Sequence, residues 1–314
     1  MIIIGFILLV VGADLLIKGS SNIAKKFNIP EVIIGLTIVA LGTSMPELII
    51  SISSALKDSS DLIIGNAVGS NLCNLLLIMG ITAFLRPIEI DEETKKIHLP
   101  VALFASIAIL GLGLGIIGTS NNTISRIDGI VLVLSYLMYF IYPIVIEINN
   151  IKNFIKEDKE KNIKDKNILI SGILIIIGIL GLKFGGDIVV NEATKMAIKY
   201  KISESVIGLT IVALGTSLPE LITSIVAILK KEDELAVGNL VGSCIFNSFC
   251  ILGIGAIITP LIFTKELIFN LVLLIFTIML ILVFCIIGKK NTITRFESLL
   301  LLLLYTIYIG NLFK

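Results

Sequence analysis

Gly35–Glu47 reads GLTIVALGTSMPE, and Gly208–Glu220 reads GLTIVALGTSLPE. The two stretches lie 173 residues apart and agree at twelve of thirteen positions. A second pair keeps the same offset: GNAVGSNLCN from Gly65 and GNLVGSCIFN from Gly238. The chain is therefore two copies of one unit, and the copies agree best where they are least apolar. Each copy sets a carboxylate, Glu47 or Glu220, inside an apolar run. An ionisable side chain at membrane depth is costly and marks an ion or substrate path.

The surrounding sequence is that of a membrane protein. Of 314 residues, 56% are hydrophobic, and the mean hydropathy is +1.05. Runs of about 20 apolar residues span a bilayer. Ten such segments cover the chain, at 2–24, 30–56, 61–85, 98–118, 127–147, 168–198, 203–229, 234–258, 265–288 and 295–313. A soluble domain would not be apolar on every face. The net charge of +1 gives no reason to expect nucleic acid, and nothing implies a protein partner; the lipid bilayer is the partner. The N-terminal MIIIGFILLVVGADLL lacks a basic leader and a small-residue cleavage site, so it reads as the first helix. The four cysteines lie in apolar segments without zinc or redox spacing and read as small buried side chains.

One long polar connection, 149–167, divides the chain into a first five-span repeat, 1–148, and a second, 168–314. An odd number of spans per repeat makes the second copy enter from the opposite face. The repeats are inverted, about a pseudo-two-fold axis in the membrane plane. Placing both termini outside puts sixteen Lys and Arg in the inner connections against seven in the outer ones. The positive-inside rule then sets the 149–167 linker in the cytoplasm.

The repeated motifs carry the chemistry. In Ala40-Leu41-Gly42-Thr43-Ser44-Met45-Pro46-Glu47, Pro46 has no N–H to give and clashes with the carbonyl one turn back. The helix breaks there, and carbonyls near Ala40 to Thr43 lose intrahelical partners. Such groups are tolerated at membrane depth only where they line a cavity or are buried in protein. Hard cations such as Na⁺ and Ca²⁺ need oxygen ligands. Thr43, Ser44 and Glu47 follow at helical spacing beside the break. Ala213 to Glu220, with Thr216 and Ser217, repeats every part. The second motif adds Ser70 and Asn74, four apart on one face, and Ser243 and Asn247 likewise. Its glycines, Gly65, Gly69, Gly238 and Gly242, allow close helix approach. Inverted symmetry brings the halves together near the midplane as a cage of carboxylates, amides, hydroxyls and freed carbonyls. With Glu47 and Glu220 ionised, its formal charge is −2.

The paired GTS-x-PE and GN-x-VGS-x₃-N segments resemble the alpha repeats of the calcium/cation antiporter superfamily, in its sodium/calcium exchanger branch. The resemblance covers the whole chain. It implies an all-α polytopic fold of ten transmembrane helices in two inverted five-helix repeats, with broken helices at the ion site. It implies Glu47 and Glu220 as central ligands shared by Ca²⁺ and Na⁺. It further implies hydroxyls from Ser44, Ser70, Ser217 and Ser243, and mainly backbone carbonyls from Ala40, Thr43, Ala213 and Thr216. Asn74 and Asn247 fall where the family carries Asn or Asp; Asn at both argues against K⁺ dependence. The first and sixth spans would be the mobile pair.

The reading that follows is a Na⁺/Ca²⁺ antiporter with the two ions as substrates and no cofactor. The alternative is a Ca²⁺/H⁺ antiporter, in which protons on Glu47 and Glu220 replace Na⁺. A channel would keep an open pore. An enzyme has little to work with, since His98 is the one histidine. His98 itself reads as an interfacial residue. Asp14 with Lys18, and Lys183 with Asp187, are spaced to neutralise each other within their helices. Glu31 and Glu204 open spans two and seven, where a carboxylate offsets the helix dipole.

Overall fold

The computed structural model describes residues 1–27, 29–117, 122–141, 168–199, 213–287 and 291–312. The expected linker at 149–167, Glu204 and the first half of span seven lie outside these. Ten helical segments occur among the described residues. They are α1 (Ile2–Phe27), α2 (Glu31–Thr43 and Met45–Ala55), α3 (Ser60–Leu85), α4 (Thr94–Gly113) and α5 (126–141). In the second copy they are α6 (Ile168–Lys199), α7 (Ala213–Thr216 and Leu218–Leu229), α8 (Asp233–Ile258), α9 (Lys265–Ile287) and α10 (Arg295–Leu312). The fold is all-α and polytopic, and its exposed surface is rich in Ile, Leu, Val and Phe, as lipid contact requires.

The inversion is visible in how the repeats touch. A Cβ at Gly12 would lie 2.7 Å from the Leu182 nitrogen, one at Gly5 3.0 Å from the Gly185 carbonyl, and one at Gly19 2.7 Å from the Ser171 carbonyl. Advancing along α1 therefore means retreating along α6: the two equivalent helices pack antiparallel, backbone on backbone. Small residues are what allow this approach between membrane helices. At Gly178 a Cβ would meet Leu16 N at 2.6 Å, with backbone atoms that cannot yield. Gly178→Leu is therefore expected to separate α1 from α6 and to abolish the folded, monodisperse protein in detergent. Retention of wild-type size-exclusion behaviour and melting temperature would contradict this packing.

Among the described residues, two short strand pairs close the ends. β1 (Ile88–Glu89), between α3 and α4, pairs with β4 (Thr292–Ile293), between α9 and α10. β2 (Thr123–Ile124), between α4 and α5, pairs with β3 (Leu261–Ile262), between α8 and α9. Since successive spans alternate direction, the first pair lies on the face that also carries the α1–α2 and α7–α8 turns. The second pair lies on the opposite face. Each pair joins one repeat to the other, and the inversion exchanges the two pairs.

The α4 helix begins one turn earlier than its apolar run, at Thr94. His98, expected at the interface, lies in that first turn. It is buried, with Nδ1 2.9 Å from the Tyr139 hydroxyl of α5. The intrahelical charge pairs also differ from expectation. Asp14 bridges to Lys230, beyond the end of α7, at 2.5 Å. Lys183 instead stacks 5.8 Å from the centroid of the Phe184 ring. Spacing along one helix registers only that helix, whereas Asp14 faces the end of α7. All four cysteines are buried and free.

Candidate ion site

The two breaks are alike in detail. Ser44 sits at φ −87°, ψ 10° and Ser217 at φ −88°, ψ 5°. Pro46 and Pro219 each fall in the first turn of the helix that follows, where a missing N–H costs nothing. The two parts of α2 meet at 49°. Glu47 and Glu220 thereby stand in the first turn of the second half-helices, where the dipole favours negative charge. The carbonyls of Gly42 and Gly215 face a proline and receive no donor four residues on. Ala40 differs from expectation: its carbonyl accepts from Ser44 N–H at 3.0 Å. Thr43 Oγ1 also lies 3.4 Å from that oxygen. Ala213 opens the matching turn, Ala213–Thr216.

The opposing motifs arrive on α3 and α8. In each, the helix widens into a π-helical turn, at Cys73–Ile78 and Phe246–Ile251, again 173 residues apart. Asn74 and Asn247 lie within these turns. One extra residue per turn re-aims the side chains that follow, a device frequent at functional sites. Close approach again makes the contact: a Cβ at Gly242 would meet Leu36 Cα at 2.7 Å. The α8 helix is thus set directly against the first half of α2. For Gly65 and Gly69 the described residues offer no such contact; Tyr308 Oη, at 3.9 Å from Gly69, is the nearest atom.

The sequence-derived residues come together. Glu47, Glu220, Asn74 and Asn247 are each 1% exposed. Thr43, Ser44, Ser70, Ser217, Ser243, Thr216 and Ala40 are buried with them. Ser44 Oγ lies 2.8 Å from Glu220 Oε1 and 2.9 Å from Ser243 Oγ. One hydroxyl has one proton, so Ser44 donates to the carboxylate and accepts from Ser243. Ser70 reaches Glu47 Oε1 at 3.5 Å. Five other oxygens at the site are buried without a hydrogen-bond partner among the described residues: Glu47 Oε2, Glu220 Oε2, Asn74 Oδ1, Asn247 Oδ1 and Ser217 Oγ. Leaving buried acceptors unpaired costs about 1–3 kcal/mol each, and a hard cation is a partner of the kind such oxygens accept. The unpartnered polar atoms at the site are all oxygens, which suit Ca²⁺ or Na⁺.

Sequence reasoning passed over a supporting ring. Asn239 Oδ1 accepts from Thr43 Oγ1 at 3.0 Å, and its amide donates to Ser224 at 3.2 Å. Asn66, its repeat partner, donates to the Glu47 carbonyl and to Ser51, both at 3.1 Å. Both are the Asn of the repeated GN-x-VGS, so the duplication already held the signal. Asn71 had none, because its equivalent is Cys244.

On the face of the β2–β3 pair, a cavity of about 270 Å³ reaches this region. Pro46, Thr216 and Pro219 lie on one side of it, and Lys183, Asp187 and Asn191 of α6 on the other. On the opposite face the equivalent surfaces of α1 and Leu218–Leu229 are packed together. A second cavity, of about 410 Å³, lies there among Glu31, Glu89, Asp91, Lys231, Asp233 and Glu234, away from every ligand candidate.

The profile of the sodium/calcium exchanger protein family matches residues 1–145 and 170–314. The chain belongs to this family. It is 35% identical over 264 residues to the inner membrane protein YrbG of Escherichia coli, covering 83% of this chain and 79% of that relative. It is 33% identical over 317 residues to the putative antiporter CaxA of Alkalimonas amylolytica, covering 100% and 98%. A solved structure of the sodium-calcium exchanger NCX_Mj, soaked with zero Na⁺ and Ca²⁺, matches with a TM-score of 0.83 at 32% identity over 99% of this chain and 97% of that one. This member of the exchanger family is an integral, multi-pass membrane antiporter of the Ca²⁺/cation type. Its family and fold are those of a transporter, not of an enzyme.

Proposed function

We propose that the protein exchanges Na⁺ for Ca²⁺ by alternating access at one shared midplane site. The observation that carries this is the set of buried, unpartnered oxygens around Glu47 and Glu220. Two carboxylates neutralise one Ca²⁺. Glu47, Glu220, Ser44, Ser70, Ser217, Ser243, Asn74 and Asn247 supply the side-chain oxygens, and Ala40, Thr43, Ala213 and Thr216 carbonyls beside the breaks. Proton coupling would need the two carboxylates alone, so this surplus of neutral oxygens favours Na⁺. The match to a sodium-calcium exchanger at 32% identity supports the same choice. An empty site of charge −2 is costly to move past a hydrophobic barrier, which keeps the unloaded carrier from slipping. The repeats are 1–148 and 168–314, joined by a cytoplasmic linker at 149–167, with both termini outside.

The deciding experiment is Ca²⁺ uptake into proteoliposomes. Vesicles loaded with Na⁺ and diluted into Na⁺-free medium are expected to accumulate Ca²⁺. A pH gradient imposed without Na⁺ is expected to drive none. Uptake that ignores Na⁺ and follows the pH gradient would assign the protein to Ca²⁺/H⁺ exchange.

A further inference from the structure

The two asparagines of the site are held differently, and the difference has a single origin. Asn71, on α3, is 1% exposed. Its Nδ2 lies 3.2 Å from the Cys244 carbonyl and 2.9 Å from Ser248 Oγ. Its Oδ1 lies 3.0 Å from Asn247 Nδ2. A backbone carbonyl only accepts, so the end of Asn71 that faces Cys244 must be its amide nitrogen. The other end is then an oxygen, itself an acceptor. Asn247 must answer it with its NH₂. The Asn247 oxygen is thereby turned to the opposite end, where it is buried without a partner among the described residues. A chain of three obligatory donor–acceptor choices runs from a main-chain carbonyl to a ligand oxygen.

The inverted copy lacks this chain. The equivalent of Asn71 is Cys244, and the equivalent of Ser248 is Leu75. There the Cys244 thiol lies against the Asn74 side chain, and a thiol is a weaker anchor than a main-chain carbonyl backed by a hydroxyl. The orientation of a carboxamide matters here in a way that a carboxylate's does not. Turned one way it presents an oxygen to a cation, and turned the other way two N–H groups.

We infer that Asn71 is a positioning residue for cation binding, which fixes the Asn247 carboxamide with its oxygen toward the ion and makes the two halves of the site unequal. It touches no ion itself. The inference rests on the proposed site, in which Asn247 is a ligand.

The test is equilibrium binding of radiolabelled Ca²⁺ to the purified protein in detergent, which requires no choice of counter-ion. Asn71→Ala is expected to raise the half-saturating Ca²⁺ concentration roughly five- to tenfold, the worth of one buried hydrogen bond. Asn247→Asp presents acceptor oxygens at both ends, so orientation no longer matters. Adding Asn71→Ala to Asn247→Asp is therefore expected to cost nothing, or to tighten binding by removing an oxygen that faces the carboxylate. A purely structural Asn71 would weaken binding by the same factor in both backgrounds, and that result would overturn the inference. So would an Asn71→Ala protein that binds as the parent does. Should Asn71→Ala fail to fold, Asn71→Ser keeps a donor for Cys244, is too short to hold Asn247, and is read in the same way. If Asn247→Asp alone leaves Ca²⁺ affinity and its pH dependence unchanged, position 247 is no ligand and the proposed site fails with the inference. A change in Asn247→Asp with no effect of Asn71 removes the inference alone.

Discussion

Glu47→Gln and Glu220→Gln are each expected to abolish Ca²⁺ transport while leaving a folded protein. Both carboxylates are 1% exposed, and each keeps one oxygen without a hydrogen-bond partner among the described residues. Replacing an oxygen by an NH₂ group of nearly equal volume halves the charge facing Ca²⁺ and puts a donor where a ligand belongs. The two variants should differ in a second respect. Glu220 Oε1 is held by Ser44 at 2.8 Å, whereas Ser70 reaches Glu47 only at 3.5 Å. The glutamine at 220 can keep its carbonyl on Ser44 and aim its NH₂ at the ion, so Glu220→Gln should also be the harder one to rescue with high Ca²⁺. The measurement is Ca²⁺ flux in proteoliposomes together with the melting temperature in detergent. Near wild-type flux in either variant would remove the shared-site mechanism.

What the sequence disclosed follows from duplication. The GTS-x-PE elements, the 173-residue offset and the two carboxylates could be read because a polar motif kept twice in a lipid-like chain has little other explanation. The inversion followed from counting spans, and the antiparallel contact of α1 with α6 is its physical form. Features present in one copy were not legible. Asn71 has no counterpart, and a lone Asn in a membrane helix reads as interhelical glue. Neither were the π-helical turns at Cys73 and Phe246, since side-chain periodicity and propensity do not separate a widened turn from an α-helical one. Pairings such as Asp14 with Lys230 join residues 216 apart, and only tertiary packing decides them.

A short, reducible bis-methanethiosulfonate bridge between Lys57→Cys and Asp187→Cys is expected to form and to stop exchange completely until it is reduced. The expectation comes from applying the inversion to one ion pair. Asp14 and Lys230 bridge at 2.5 Å on the face where α1 lies against Leu218–Leu229. Their repeat equivalents, by the 173 offset, are Asp187 and Lys57. The turns that carry the two lysines are the same: Lys57 N–H donates to Ser54 and Lys230 N–H to Ala227, and the following residues, Asp58 and Lys231, have φ of 55° and 64°. Asp187, however, faces the 270 Å³ cavity, and among the described residues neither it nor Lys57 has an ion partner. In inverted-repeat transporters alternating access is largely one repeat or bundle rocking or gating against the other, and here it is expected to exchange the conformations of the two halves. In the opposite state the cavity is expected to close, with Lys57 meeting Asp187 and Asp14 parting from Lys230. Both groups of the observed bridge are partly exposed, and such pairs contribute little energy. Neutralising them singly should therefore change rates modestly, and a covalent trap is the informative test. The Asp14→Cys/Lys230→Cys pair should cross-link in the state seen here, and the 57–187 pair only after a shift in the ion gradient. The four native thiols are buried and do not compete. Full transport with the 57–187 cross-link complete would exclude this exchange of latches. So would a 57–187 pair that never cross-links under any ion condition while the 14–230 pair does.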